Sequence, residues 1–164
     1  MRARERPPLT LQAFSEAAEL AKTFVRHVLD KPRDTAVQTL TLLKDAGLKT
    51  GLVSNCAANV PSVWPRTPLA RLVDVPIFSC SVCLKKPDLE TYFLACRRLR
   101  VQSRNSLYVA DGNEHELTGA SQAGLTPVLF RGSDEDPYDE GHDRKTWRES
   151  TVSVLLDVLN LIDN

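Results

Sequence analysis

Four side chains in this sequence have the types that handle a phosphoryl group and its metal: Ser54, Lys86, Asp111 and Glu116. A hydroxyl and an ammonium donate to phosphoryl oxygens, and carboxylates hold a hard cation such as Mg²⁺. Asn55 follows the hydroxyl and adds an amide. Each signal alone has a plain structural reading. Serine after a strand caps a helix, Lys-Pro marks a loop, and Asp-Gly marks a turn. Their order along the chain, each at or just beyond the end of a predicted strand, is what carries the chemical reading.

The elements that must position them follow from periodicity. Apolar residues at Phe14, Ala17, Ala18, Ala21, Phe24, Val25 and Val28 predict a helix over residues 11–29, ended by Lys31-Pro32. Asp34 or Thr35 is placed to cap a second helix running to Ala46, and Gly47 to end it. Residues 48–54 read as a strand, 55–68 as a loop, 69–73 as one helical turn and 75–82 as a second strand. Asp88 is placed to cap a helix over 89–100, with Leu89, Tyr92, Phe93, Cys96 and Leu99 on one face. Residues 106–110 form a third strand, and Asp111-Gly112 turns into a helix ending at Gly124. Residues 126–130 form a fourth strand, 131–146 a polar loop, and a closing helix runs from Trp147 or Thr151 to Ile162. Strands alternating with helices predict a parallel sheet covered on both faces. Such sheets bind ligands at the carboxyl ends of their strands, where the four residues lie.

The 164 residues suit one domain, with 42% hydrophobic and 26% charged residues. Lys plus Arg and Asp plus Glu both number 21, so no net charge marks a nucleic-acid or anionic-membrane partner. The longest apolar runs, such as 152–162, are broken by polar residues and are too short to span a bilayer. The basic start, Met1 to Arg6, is not followed by the apolar stretch of a leader, so a cytoplasmic protein is expected. The four cysteines then read as reduced thiols. Cys80 and Cys83 fall late in the strand-like run and are expected to be buried structural thiols. Cys56 and Cys96 lack the paired spacing of a zinc site. His27, His115 and His142 stand apart, and His115 reads as an exposed helix-start residue. Trp64 and Trp147 read as packing residues, and the acidic stretch from Asp134 to Glu140 as a solvated loop.

Three stretches together resemble the haloacid dehalogenase (HAD) superfamily of Mg²⁺-dependent aspartyl-phosphate hydrolases. They are Gly47-Leu-Lys-Thr-Gly-Leu-Val-Ser-Asn-Cys, Lys86-Pro-Asp-Leu-Glu-Thr-Tyr, and Leu107-Tyr-Val-Ala-Asp-Gly-Asn-Glu-His-Glu-Leu-Thr-Gly-Ala. The resemblance implies a three-layer, Rossmann-like α/β core over 32–164, preceded by a remnant of a helical cap over 1–31. It implies that Ser54, with Asn55, binds a phosphoryl oxygen, and that Lys86 binds and stabilises negative charge during catalysis. It also implies that Asp111 and Glu116 hold Mg²⁺ directly or through water, and that the substrate is a small phosphorylated molecule.

Two departures stand out. Ala110 replaces the glycine that usually precedes the metal-binding aspartate. The family's first motif, Asp-x-Asp-x-Thr on an opening central strand, is absent. Asp30 and Asp34 have the wrong spacing and lie between two helices. Without that strand, the strands on either side of it each keep an unpaired edge. A truncated member, a wrongly started reading frame, or a rearranged sheet whose flanking strands meet would each account for this. Closure of the edges by a homodimer is a further expectation. The sequence therefore points to a HAD-like, phosphatase-type hydrolase whose nucleophilic aspartate is not in this chain. The alternative is a catalytically inactive HAD-like binding or interaction module.

Overall fold

The computed structural model describes residues 10–132 and 142–162. The acidic stretch from Asp134 to Glu140 and the basic start lie outside them. Helix α1, Leu11–Leu29, matches the periodicity and starts at Thr10, whose side chain accepts from the Ala13 amide at 3.2 Å. Its apolar row stays in solvent: Leu11, Phe14, Leu20, Phe24 and Val28 are all more than half exposed. It packs against the short helix α3, Asn59–Val63, which replaces part of the predicted loop. A 3-10 turn, Trp64–Arg66, extends α3 and buries Trp64 edge-to-face on Phe78.

Helix α2, Ala36–Asp45, begins at Thr35, but no side chain caps it. Thr35 has φ 65°, and its buried hydroxyl has no partner. Strand β1, Gly51–Ser54, is shorter than predicted because Thr50 is engaged elsewhere. The Thr50 amide donates to Asp74 Oδ2 at 2.8 Å and its hydroxyl donates to the Leu72 carbonyl at 2.6 Å. Strand β2, Val75–Phe78, pairs parallel with β1 from Gly51↔Val75 to Ser54↔Phe78. The pairing ends there, and the chain turns into the short helix α4, Ser79–Val82. Cys80 and Cys83 are therefore exposed, and the expectation of buried thiols is wrong for both. Only Cys96, on helix α5, Leu89–Leu99, is buried. Asp88 precedes α5 without a side-chain cap.

Strand β3, Leu107–Ala110, and strand β4, Thr126–Phe130, are parallel and flank helix α6, Glu116–Gln122. The end of the predicted loop is instead a helix, α7, His142–Thr146. The predicted closing helix is instead the strand β5, Thr151–Val152, parallel to β4, followed by a 3-10 helix, Leu155–Leu161. Val128, Phe130, Val152 and Val158 form one core cluster under that 3-10 helix. Helix α2 packs on the same side, and the Arg33 guanidinium lies 5.3 Å over the Phe130 ring. Helices α5 and α6 pack side by side on the opposite face, with Tyr92, Ala120 and Ala123 between them and the strands. The α/β layering is as expected.

The single sheet is not. Among the described residues the strands form two sheets, β1-β2 and β3-β4-β5. The flanking strands β1 and β3 do not pair, so the rearranged-sheet expectation is wrong. Neither strand contains a buried residue, whereas β2 ends in two and β4 has four. Parallel sheets normally bury both faces of their middle strands. Here β1 and β3 are edge strands of separate sheets, and among the described strands β4 alone is paired on both sides.

Candidate functional site

The carboxyl ends of both sheets are tied together by side chains from the predicted set. Asn55, just past β1, clasps the Lys86 backbone: its Oδ1 accepts from the Lys86 amide at 2.9 Å and its Nδ2 donates to the Lys86 carbonyl at 3.0 Å. The same Nδ2 also donates to Glu114, beyond β3. Lys86 Nζ donates to Glu116 Oε2 at 2.5 Å, with the two side chains 15% and 3% exposed. Tyr108 Oη donates to the same oxygen at 2.9 Å, and the Gly112 amide to Oε1 at 3.2 Å. Asp111, just past the end of β3, accepts from the Asn113 amide at 3.2 Å, and its charge bears on the Glu116 carboxyl. Asn55, Lys86 and Glu116 are thus joined in one hydrogen-bonded network, and Asp111 acts on it through its charge near Glu116. Ser54, the last residue of β1, stands one residue outside it.

The local backbone explains how six residues turn Asp111 and Glu116 toward each other. Gly112 has φ 84°, and a Cβ there would meet the Arg144 amide nitrogen at 3.0 Å. Glu114 and His115 follow with φ 52° and 56°. Left-handed residues other than glycine cost of order 1 kcal/mol or more each. Here they aim Glu114 at Asn55 and bring the Glu116 carboxylate back to the Gly112 amide.

Helix α6 is held from below. Asp143 is buried and accepts from the amides of Leu117 and Thr118 at 2.8 and 3.0 Å and from the Thr118 hydroxyl at 2.6 Å. Gly119 lets the Lys86-Pro87 segment approach, since a Cβ there would lie 2.8 Å from the Pro87 carbonyl oxygen. Tyr92 Oη donates to the Glu116 carbonyl at 2.9 Å and its ring meets Tyr108 edge-on.

Electrostatics follow the burial. Desolvation raises the Glu116 pKa above the ordinary carboxyl range; Lys86 opposes this, and the Asp111 carboxyl adds to it. Burial first, then Glu116, raises both tyrosine hydroxyls, so Tyr92 and Tyr108 are neutral donors. Two carboxyls forced together with only oxygen donors fit a hard divalent cation, which relieves their repulsion. Mg²⁺ is commonly held by one or two carboxylates, with water and phosphate completing the shell. Among the described residues no group of three or more His, Cys, Asp and Glu side chains is placed to hold a metal ion.

Tyr108, Glu114, Gly119 and Asp143 were not legible as site residues. Tyr108 sits within a strand and reads as core, and Asp143 lies in a polar stretch. Glu114 acts only because two residues turn left-handed. His115 is exposed, as expected, with Nδ1 3.7 Å from Asp143.

A family model described as haloacid dehalogenase-like hydrolase matches residues 3–124. Glyceraldehyde 3-phosphate phosphatase of Methanopyrus kandleri is 28% identical over 102 residues, 62% of this chain and 44% of that protein. Ribulose-1,5-bisphosphate 5-phosphatase of Halopiger xanaduensis is 28% identical over 121 residues, 73% of this chain and 51% of that protein. The chain thus spans about half the length of these curated relatives. The crystal structure of a HAD phosphatase from Thermococcus onnurineus superposes with a TM-score of 0.70 at 23% identity, covering 89% of this chain and 64% of the other. No described helix is long and apolar enough to cross a membrane.

Proposed function

The chain belongs to the haloacid dehalogenase-like hydrolases, and on that premise we propose that it carries the binding half of a Mg²⁺-dependent, phosphatase-type site. The observation behind this reading is the network running from Asn55 through Lys86 and Glu116 to Asp111 across two strand ends. In it, Asp111 and Glu116 hold the cation, and bound Mg²⁺ supplies charge neutralisation for phosphoryl oxygens. Asn55 fixes the Lys86 backbone, and Glu116 fixes its ammonium. An ammonium has three donors, so one can serve Glu116 while another meets a phosphoryl oxygen. Ser54 donates to a second oxygen. The substrate class is a small phosphorylated molecule, the class named for the curated relatives.

The aspartate that attacks phosphorus in this family has no counterpart in the 164-residue sequence. Asp111 and Glu116 are committed to the cation, and Ser54 has no base partner that would make it a nucleophile. We assign residues 1–31 to a cap remnant and 32–164 to the core. The division into two sheets favours a second reading, a non-catalytic HAD-like module whose open edges β1 and β3 serve for contact with another chain or a second copy. The test of the catalytic half is hydrolysis of an aryl phosphate with Mg²⁺ by the 164-residue chain, by Asp111→Asn and by buffer alone. No turnover above buffer is expected. Mg²⁺-dependent turnover that disappears in Asp111→Asn would place a complete active site in this chain, with Asp30 and Asp34 the first nucleophiles to test.

A further inference from the structure

Cys56 leaves β1 and Cys80 begins the turn after β2, and their Sγ atoms lie 4.0 Å apart. The two segments are already latched, since the Cys56 amide donates to Ser79 Oγ at 3.0 Å and Ser79 Oγ donates back to the Cys56 carbonyl at 3.4 Å. Cys80 is exposed and Cys56 half-buried, so a small oxidant reaches the pair from the Cys80 side.

We propose that Cys56 and Cys80 are a peroxide-sensitive thiol pair that closes to a disulfide and locks the segment that follows Ser54, with Asn55, to the end of β2. Hydrogen peroxide is the oxidant. The Cys80 sulfur attacks one peroxide oxygen, the O–O bond breaks, and sulfenic acid and one water form. The Cys56 sulfur then attacks the Cys80 sulfur, the S–OH bond breaks, and the leaving hydroxide takes the Cys56 proton as a second water. Two thiols and one peroxide give one disulfide and two waters. A disulfide needs its sulfurs about 2 Å apart, so the pair must close by about 2 Å, within reach of side-chain rotation at two adjoining strand ends. Burial raises the Cys56 thiol pKa, which suits the resolving role and not that of the first attacker.

Cys83 is the competing partner for Cys80. The two lie three residues apart across a four-residue helix, and Cys83 sits on the left-handed residue that ends it. The Cys80 sulfur lies 3.9 Å from the Ser81 hydroxyl, and the thiol it meets is Cys56, across the strand pair. Closure therefore bridges 24 positions of sequence and fixes the loop whose Asn55 holds the Lys86 backbone. It needs no metal, phosphate or turnover at the neighbouring site.

The test is a non-reducing tryptic map of the full chain after peroxide treatment, beside a sample kept in thiol reductant. Cleavage gives residues 50–66, with Cys56, and residues 72–85, with Cys80 and Cys83. The expected product is these two peptides joined, lighter than their sum by two hydrogens and separated by reductant. Cys83→Ser retains the cross-link and Cys80→Ser loses it. A disulfide closed within 72–85, a cross-link that survives Cys80→Ser, or thiols that pass to sulfinic acid without joining would each overturn the proposal. Circular dichroism of both variants checks that they are folded.

Discussion

Replacing Lys86 by methionine keeps the length of the stem and removes the charge facing Glu116, whose side chain is 3% exposed. Breaking a buried ion pair by removing one partner costs about 3–5 kcal/mol, because the other charge is left in a poor solvent. The carboxyl can escape that cost by taking a proton. An ordinary glutamate, with a pKa near 4.3, takes about 3.7 kcal/mol to protonate at pH 7 and about 1 kcal/mol at pH 5. The destabilisation is therefore expected near 3 kcal/mol at pH 7 and near 1 kcal/mol at pH 5, a range set by that escape. The sign follows from linkage. Glu116 already has a raised pKa in the folded chain, and losing Lys86 removes the group that opposes the rise. Above the unfolded pKa the folded state then holds more protons than the unfolded one, so stability falls as pH rises through that window. Urea unfolding followed by circular dichroism at both pH values measures it. Adding Glu116→Gln to Lys86→Met restores most of the loss at pH 7. A loss of equal size at both pH values, or a double variant as unstable as the sum of the singles, would refute the buried-pair account.

Asp143→Ala removes three acceptor contacts at the start of α6 and is expected to cost about 1–3 kcal/mol in the same unfolding assay. Gly119→Ala forces a methyl onto the Pro87 carbonyl and the Tyr92 hydroxyl, with a loss of about 1–3 kcal/mol and a change in near-ultraviolet tyrosine circular dichroism. The Thr50 amide first, then Lys44, holds the Asp74 carboxyl below its ordinary range. Its contribution is present above the unfolded pKa near 4 and is lost as pH falls through the lower folded value. Asp74→Asn therefore flattens the acid limb of the stability profile, read by unfolding from pH 6 downward.

The regular parts of the fold were legible because their signals are local. Phe14, Phe24 and Val28 at helical spacing placed α1, and the 126–130 run placed β4 to the residue. Errors came where tertiary contacts overrode the local pattern. The apolar run from Val75 looks like one long strand, but its partner β1 ends at Ser54, so the chain turns at Ser79 and exposes Cys80 and Cys83. The polar stretch before Trp147 looks like a loop, but Asp143 is fixed by donors on α6, far earlier in sequence. Lys86, Asp111 and Glu116 were legible as a set because parallel strands bring their carboxyl ends to one side. Glu114 was not, because its reach to Asn55 depends on two left-handed residues that no propensity favours. The reading without an opening central strand left β1 and β3 each with an unpaired edge, and among the described residues the two strands lie in separate sheets.

Equilibrium binding of radiolabelled inorganic phosphate, measured by ultrafiltration with and without Mg²⁺, tests most directly whether this network is a phosphoryl and metal site. The account predicts that the 164-residue chain retains phosphate only when Mg²⁺ is present, and that folded Asp111→Asn retains none. Phosphate that fails to bind with Mg²⁺ present, or that binds Asp111→Asn as well as the unaltered chain, would contradict it.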